Sequence, residues 1–152
     1  MPAPKIHNFQ KSLKVGQKYE TMFEDLFGDK VTRTEGYIED FIVNRTGKTL
    51  DLKADNYDMS KTANFFMERY SYKEVNGGPW QALDKGVDYY IYFFPTQMEF
   101  FVFKTATLVK KLDELCEGQG LINVWNTSHV TRGYKVNREL LAKIRISLED
   151  IL

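Results

Sequence analysis

Asp40 and the triplet Asp51-Leu52-Lys53 are the residues of this chain whose types and spacing best suit chemistry. They lie in the run from Glu39 to Lys53, where an Asp opens an apolar stretch, a turn follows, and a second apolar stretch carries Asp-x-Lys. Two carboxylates can hold a hard divalent cation through oxygen, and a nearby Lys can steer a water or help deprotonate it. Those three groups are a minimum set for metal-assisted cleavage of a phosphodiester.

The elements that must position them are a pair of strands. Phe41-Ile42-Val43 and Thr49-Leu50-Asp51-Leu52 are β-prone, and Asn44 to Lys48 is a turn cluster with a Gly available for positive φ. With Thr46-Gly47 as a two-residue loop, Asp40 lies opposite Lys53 and Ile42 opposite Asp51. Side chains alternate along a strand, so Asp51 and Lys53 share a face, and Asp40 falls on it too. A one-residue slip would separate Asp40 from the other two. The plainer reading is an exposed hairpin with its polar residues outward.

Other chemistries find little support. His7 and His129 are far apart and lack ligand spacing, which disfavours His-metal or His-nucleophile mechanisms. No nucleophile elbow and no Gly-rich phosphate loop is visible, which argues against Ser hydrolysis and ATP-driven activity. A single Cys116 excludes an intramolecular disulfide and a Cys-based zinc site and fits a reducing compartment. Tyr89, Tyr90 and Tyr92 could stack bases, although aromatics in a continuous strand are more often core.

At 152 residues the chain suits one domain with a real core, and it is rich in aromatics. Its formal net charge is zero, unlike a bulk nucleic-acid coat. The distribution is less even. Residues 1–19 carry Lys5, Lys11, Lys14 and Lys18 without an acid. Residues 20–60 hold ten acids against five bases. Residues 129–145 hold Arg132, Lys135, Arg138, Lys143 and Arg145 against Glu139. An acidic middle between basic ends suits a cation site flanked by phosphate-gripping surfaces, or simply solvated helix faces. No apolar leader and no membrane-length apolar run is visible, so the chain reads as soluble and cytoplasmic (host cytoplasm, if carried by a phage).

Periodicity predicts a helix over residues 13–27 and hairpin strands over 37–43 and 49–54. It further predicts a strand over 64–72, a helical turn over 80–85, and two apolar strands, 87–94 and 98–103, central to a sheet covered on both faces. An amphipathic helix over 105–116 follows, with Cys116 as a small apolar filler, then short extended pieces and a helix capped by Asn137. This order implies an α+β (α/β-like) single domain, residues 1–152, with a central mixed β-sheet flanked by helices. Its core spans about residues 13–116, and residues 117–152 form a basic C-terminal extension.

With these elements in order, the chain resembles the PD-(D/E)XK nucleases, in which a helix with Glu is followed by an Asp and then by Asp/Glu-x-Lys on a second strand. Gly16-Gln-Lys-Tyr-Glu20 looks like the Gly-x-x-x-Glu of the Holliday-junction-resolvase-like branch, and Asp40 is preceded by Glu39 where the family has Pro. Residues 53–94 are similar to small nuclease-like proteins, several carried by bacteriophages, through Asp55, Asn64-Phe-Phe-Met-Glu68, Gly77-Gly78 and Lys85 to Tyr92. The loop at 76–79 lacks the Ser of such relatives, and Asp stands at 51 where Glu is commoner.

The resemblance implies a restriction-endonuclease-like core and a metal-dependent endonuclease that hydrolyses DNA phosphodiesters, leaving a 5′-phosphate. Asp40, Asp51 and the Leu52 carbonyl would bind Mg²⁺ or Mn²⁺, with Glu20 a further ligand and Lys53 positioning the water. Asp55, Glu68 and Lys85 are secondary candidates: Asp55 extends the face, Glu68 supports the site or pairs with Arg69 or Lys53, and Lys85 meets a phosphate. The implied partner is DNA, with branched DNA, RNA and a homodimer left open, and no membrane. Two alternatives stand beside it, a nucleic-acid-binding or structural module with a degenerate nuclease fold, and a protein–protein adaptor.

Overall fold

In the computed structural model the described residues are 6–7, 9–34, 39–126 and 130–152. In chain order the elements are β1 (Ile6–His7), α1 (Phe9–Phe27), β2 (Val31–Arg33), β3 (Phe41–Val43), β4 (Thr49–Ala54) and β5 (Asn64–Tyr70). Then come α2 (Gly78–Asp84), β6 (Tyr89–Phe94), β7 (Glu99–Lys104), α3 (Thr105–Leu115), β8 (Ile122–Asn126), β9 (Val130–Asn137), a 3₁₀ helix (Arg138–Ile144) and α4 (Leu148–Ile151).

The strands form two sheets, one of five strands in the order β2-β3-β4-β6-β7 and one of four in the order β1-β8-β9-β5. The five-stranded sheet is mixed: β4 and β6 are parallel and the other neighbours antiparallel. Parallel neighbours need a crossover, and here the chain makes it through β5 and α2. The expected strand 64–72 therefore leaves the central sheet and pairs with β9 instead, Phe65 opposite Val136 and Met67 opposite Tyr134. The three-residue β2 is too short to show a period, and the expected strand start at Tyr37 lies outside the described residues.

Alternation along β4 and β6 builds a core on each face of the five-stranded sheet. Leu50 and Ile91 face α1 and α4, where Phe23 packs against Phe41 with ring centroids 4.8 Å apart. Tyr90, Tyr92 and Phe94 face β5, α2 and α3, where Phe65 meets Tyr92 at 4.7 Å. Burial on both faces explains the near-continuous apolar run of β6. Helix α1 carries Phe23 inward but leaves Leu26 47 % exposed, off the apolar stripe that its spacing suggests. Asn137 caps the final helical segment as expected, its side chain accepting from the Glu139 N–H, although that segment is 3₁₀ rather than α. No described helix is long and apolar enough to cross a membrane. The architecture is thus mixed α+β, a single domain whose mixed sheet is flanked by helices.

Candidate active site

The hairpin that carries the acids is closed by a four-residue turn, not a two-residue one. Val43 N–H donates to Lys48 O at 2.7 Å, and Gly47, at φ +74°, turns the chain. Asn44 is drawn away toward β2: its N–H donates to Lys30 O and its side-chain oxygen accepts from Thr32. The register is Phe41 opposite Leu50 and Ile42 opposite Thr49. Continued by one residue, it puts Asp40 level with Asp51 rather than with Lys53. Pairing is displaced by two residues on β4, which preserves the face, so Asp40 stays on the side of Asp51 and Lys53.

The regular register ends at Phe41, but the Asp40 N–H still donates to Leu50 O at 3.0 Å, and the Asp40 side chain adds a further bond to β4. Its Oδ2 accepts from the Leu52 N–H at 2.8 Å. The Glu20 carboxyl on α1 lies near enough to act on it. Burial, opposed by the Leu52 N–H and reinforced by the nearby charges of Asp51 and Glu20, pushes Asp40 up to about 7. Asp51 is pushed up to about 6, again chiefly by burial, with Glu39 and Glu20 adding to the rise and Lys85 and the Asp40 N–H opposing it. Both acids therefore hold their protons more tightly than an ordinary Asp.

Around this pair the other candidate residues divide. Glu20 joins it, held between Asp40 and the Arg33 guanidinium, which lies 3.1 Å away. Leu52 turns its side chain toward the α1 face of the sheet. Its N–H meets Asp40, and since N–H and C=O of an extended residue leave the strand on one side, its carbonyl faces the same edge. Lys53 shares the Asp51 face but is exposed, and no described residue forms an ion pair with it. The ammonium with the largest effect on Asp51 is that of Lys85, just past α2.

Asp55 has a structural role. Its carboxylate accepts from Tyr92 Oη at 2.5 Å and from the Tyr57 N–H at 2.9 Å. Glu68 forms no ion pair with Arg69 or Lys53 among the described residues. Its Oε2 accepts from the Gly78 N–H at 3.2 Å, and its side chain lies so close on Gly77 that a Cβ there would collide with Oε2. Arg69 instead bonds Asn76 and lies over Tyr70 and Trp80.

Three residues around the site, Glu39 and Tyr90 beside the pair and Arg33 on Glu20, are not singled out by the Asp…Asp-x-Lys pattern. Glu39 directly precedes Asp40, so adjacency is the available signal. Arg33 is on β2, which no pattern announces. Tyr90 is the β6 partner of Asp51 in the parallel register, visible only once β4 and β6 are known to pair.

The donors that converge here are hard oxygens of carboxylate and backbone, which fit Mg²⁺ or Mn²⁺ and suit neither zinc nor copper. Among the described residues no three His, Cys, Asp or Glu side chains are arranged to hold a metal ion by themselves. The acids would share such an ion with backbone oxygen, water and substrate, as Mg²⁺ ordinarily does. No protein-family model matches the chain, and a search of curated proteins finds no significant match.

Proposed function

We propose that this chain is a Mg²⁺- or Mn²⁺-dependent endonuclease that hydrolyses DNA phosphodiester bonds, built on a restriction-endonuclease-like core. The observation that carries the reading is the juxtaposition of Asp40 and Asp51, both mostly buried and both raised far above the usual carboxylate range. Burying two acids side by side is costly for folding alone, and a divalent cation bound between them would offset that cost. The order of elements supports the same reading: a helix bearing Glu20, a strand opened by Asp40, then a strand bearing Asp51-Leu52-Lys53.

When bound, the ion would polarise a phosphoryl oxygen and favour ionisation of water. The chain's own groups do the rest. Asp40 and Asp51, once deprotonated, would hold the ion. Glu20 on α1, held by Arg33, would be a further ligand, direct or through water. Lys85 holds Asp51 toward its ionised form. Lys53, extended into solvent on the same face, is free to meet an approaching phosphate or the attacking water.

Supercoiled plasmid and a four-way DNA junction, each incubated with Mg²⁺, test the proposal. Wild type should nick or cut at least one of them, and Asp51→Asn should reduce the rate by about 10³-fold or more. Salt-sensitive DNA binding without any cutting would favour the degenerate-fold reading instead. Neither binding nor cutting of DNA or RNA would leave the adaptor reading.

A further inference from the structure

Tyr90 and Tyr92 stand two residues apart on β6 and face the same side of the sheet, yet their hydroxyls differ in employment. Tyr92 Oη accepts from the Phe66 N–H at 3.0 Å and donates to Asp55 at 2.5 Å. No described residue hydrogen-bonds the Tyr90 hydroxyl. Among the described residues, Thr105 Oγ1 is the sole fully buried side-chain oxygen or nitrogen that lacks a partner. The Tyr90 oxygen must therefore reach solvent, although the residue as a whole is only 6 % exposed.

Its surroundings identify where it emerges. Asp51 is its neighbour in the β4–β6 register, and the charges of Asp51, Glu68 and Asp40 all act on the phenol. Glu68 is fixed by the Gly78 N–H and the close seat of Gly77. Burial and these three carboxylates raise Tyr90 well above the ordinary phenol value. The hydroxyl lies beside Asp51 in the sheet without a partner among the described residues, and a phenol is an uncharged donor at neutral pH whatever its neighbours.

A phosphate approaching this surface meets carboxylates that repel it. It needs a donor that adds no negative charge. We propose that Tyr90 is a substrate-contacting residue, its hydroxyl donating a hydrogen bond to a non-bridging oxygen of the phosphate held beside Asp40 and Asp51. The proposal rests on the nuclease reading and assigns that site a residue on a strand outside the Asp…Asp-x-Lys hairpin.

Tyr90→Phe removes one oxygen and leaves the ring, and its melting curve serves as a folding control. Oligonucleotides with an Rp or Sp phosphorothioate at the mapped wild-type cleavage position, with Mg²⁺, supply the decisive readout. Sulfur accepts hydrogen bonds poorly, so wild type should discriminate between the isomers. Tyr90→Phe should lower kcat on the normal phosphate by about 10²-fold, with KM changed less than about twofold, and should shift the isomer ratio by a similar factor. A purely structural tyrosine would slow both isomers equally and leave the ratio intact, which overturns the proposal. So does a variant that cuts at the wild-type rate while Asp51→Asn is inert, and in that case the nuclease reading survives. If wild type cuts no nucleic acid, both fall together.

Discussion

The Asp40 carboxylate accepts a 2.8 Å hydrogen bond from the Leu52 N–H, one residue beyond Asp51 on the neighbouring strand. The Asp40 backbone N–H donates to Leu50 O at 3.0 Å, and the side chain adds the next bond of the ladder. The consequence is positional: Asp40 is locked to the edge of β4, and the two acids are held together by the sheet rather than by a flexible loop. The sheet thereby holds the acids where their charges are unfavourable, and both stability and activity should respond to that charge.

Asp40→Asn should stabilise the protein at alkaline pH. Asp40 binds its proton more tightly when folded, so in the window from about pH 4 to about pH 7 the folded state carries more protons than the unfolded one. Stability from this group is present at low pH and is lost as pH rises through that window. The Asn variant should be more stable than wild type by about 2 kcal/mol at pH 8, roughly half the linkage maximum for so large a shift because the site keeps some solvent access. The difference should shrink toward pH 4. Urea unfolding at several pH values measures it.

Lys85→Ala and Lys53→Ala should fail in different ways. Lys85 opposes the rise at Asp51, so its removal should move the onset of metal-dependent cleavage upward by about half to one pH unit. Lys53→Ala should leave the onset in place and lower the plateau by about 10²-fold, as loss of a group acting on substrate or water would. A pH–rate profile for each variant separates the two roles.

Tyr92→Phe should behave oppositely to the Tyr90 variant. It strips a partner from the Phe66 N–H and from Asp55, joining points of β5 and the 55–63 loop to the central sheet. Leaving such groups unpaired costs about 1–3 kcal/mol. The urea midpoint should fall, with cleavage per folded molecule unchanged.

The two glycines that seat Glu68 should differ in tolerance. Gly78 has φ +47°, and an added Cβ would lie 2.6 Å from the Glu68 backbone oxygen, which cannot swing aside. Gly78→Ala should cost about 2 kcal/mol or more. At Gly77 the obstacle is mainly the Glu68 carboxylate, so Gly77→Ala should cost less and act by displacing that side chain. Thermal melts rank the pair.

How much the letters disclose follows the range of the interactions involved. The hairpin bearing Asp40 and Asp51 announces itself through a local pattern of apolar run, turn and apolar run. Its turn length does not, because Asn44 is engaged by Lys30 and Thr32 on a strand too short to show a period. The resulting displacement is harmless, since a shift of two residues returns every side chain to its original face. Strand β5 shows the limit of such reading: its alternation is visible, but its partner β9 lies some seventy residues further on, and nothing local distinguishes that pairing from a place in the central sheet.

Individual roles are less legible still. Tyr90 and Tyr92 look alike in the sequence, and only the approach of β5 gives one a structural bond and leaves the other open. The nearest cations by sequence and face suggest Arg69 or Lys53 as the partner of Glu68. Its actual partner is a backbone N–H ten residues later, a donor that no residue letter advertises. Lys85 reads as an ordinary helix-end lysine until the fold brings its charge within reach of Asp51.

Calorimetric titration of Mn²⁺ at pH 8 tests the central claim most directly, because it asks whether the acid pair captures a divalent cation at all. One ion per chain should bind to wild type, with affinity falling as pH drops through about 7 to 6 and the two carboxyls regain their protons. Asp40→Asn and Asp51→Asn should each abolish the binding. Absence of a binding isotherm in wild type, or one that survives in both variants, would contradict the account.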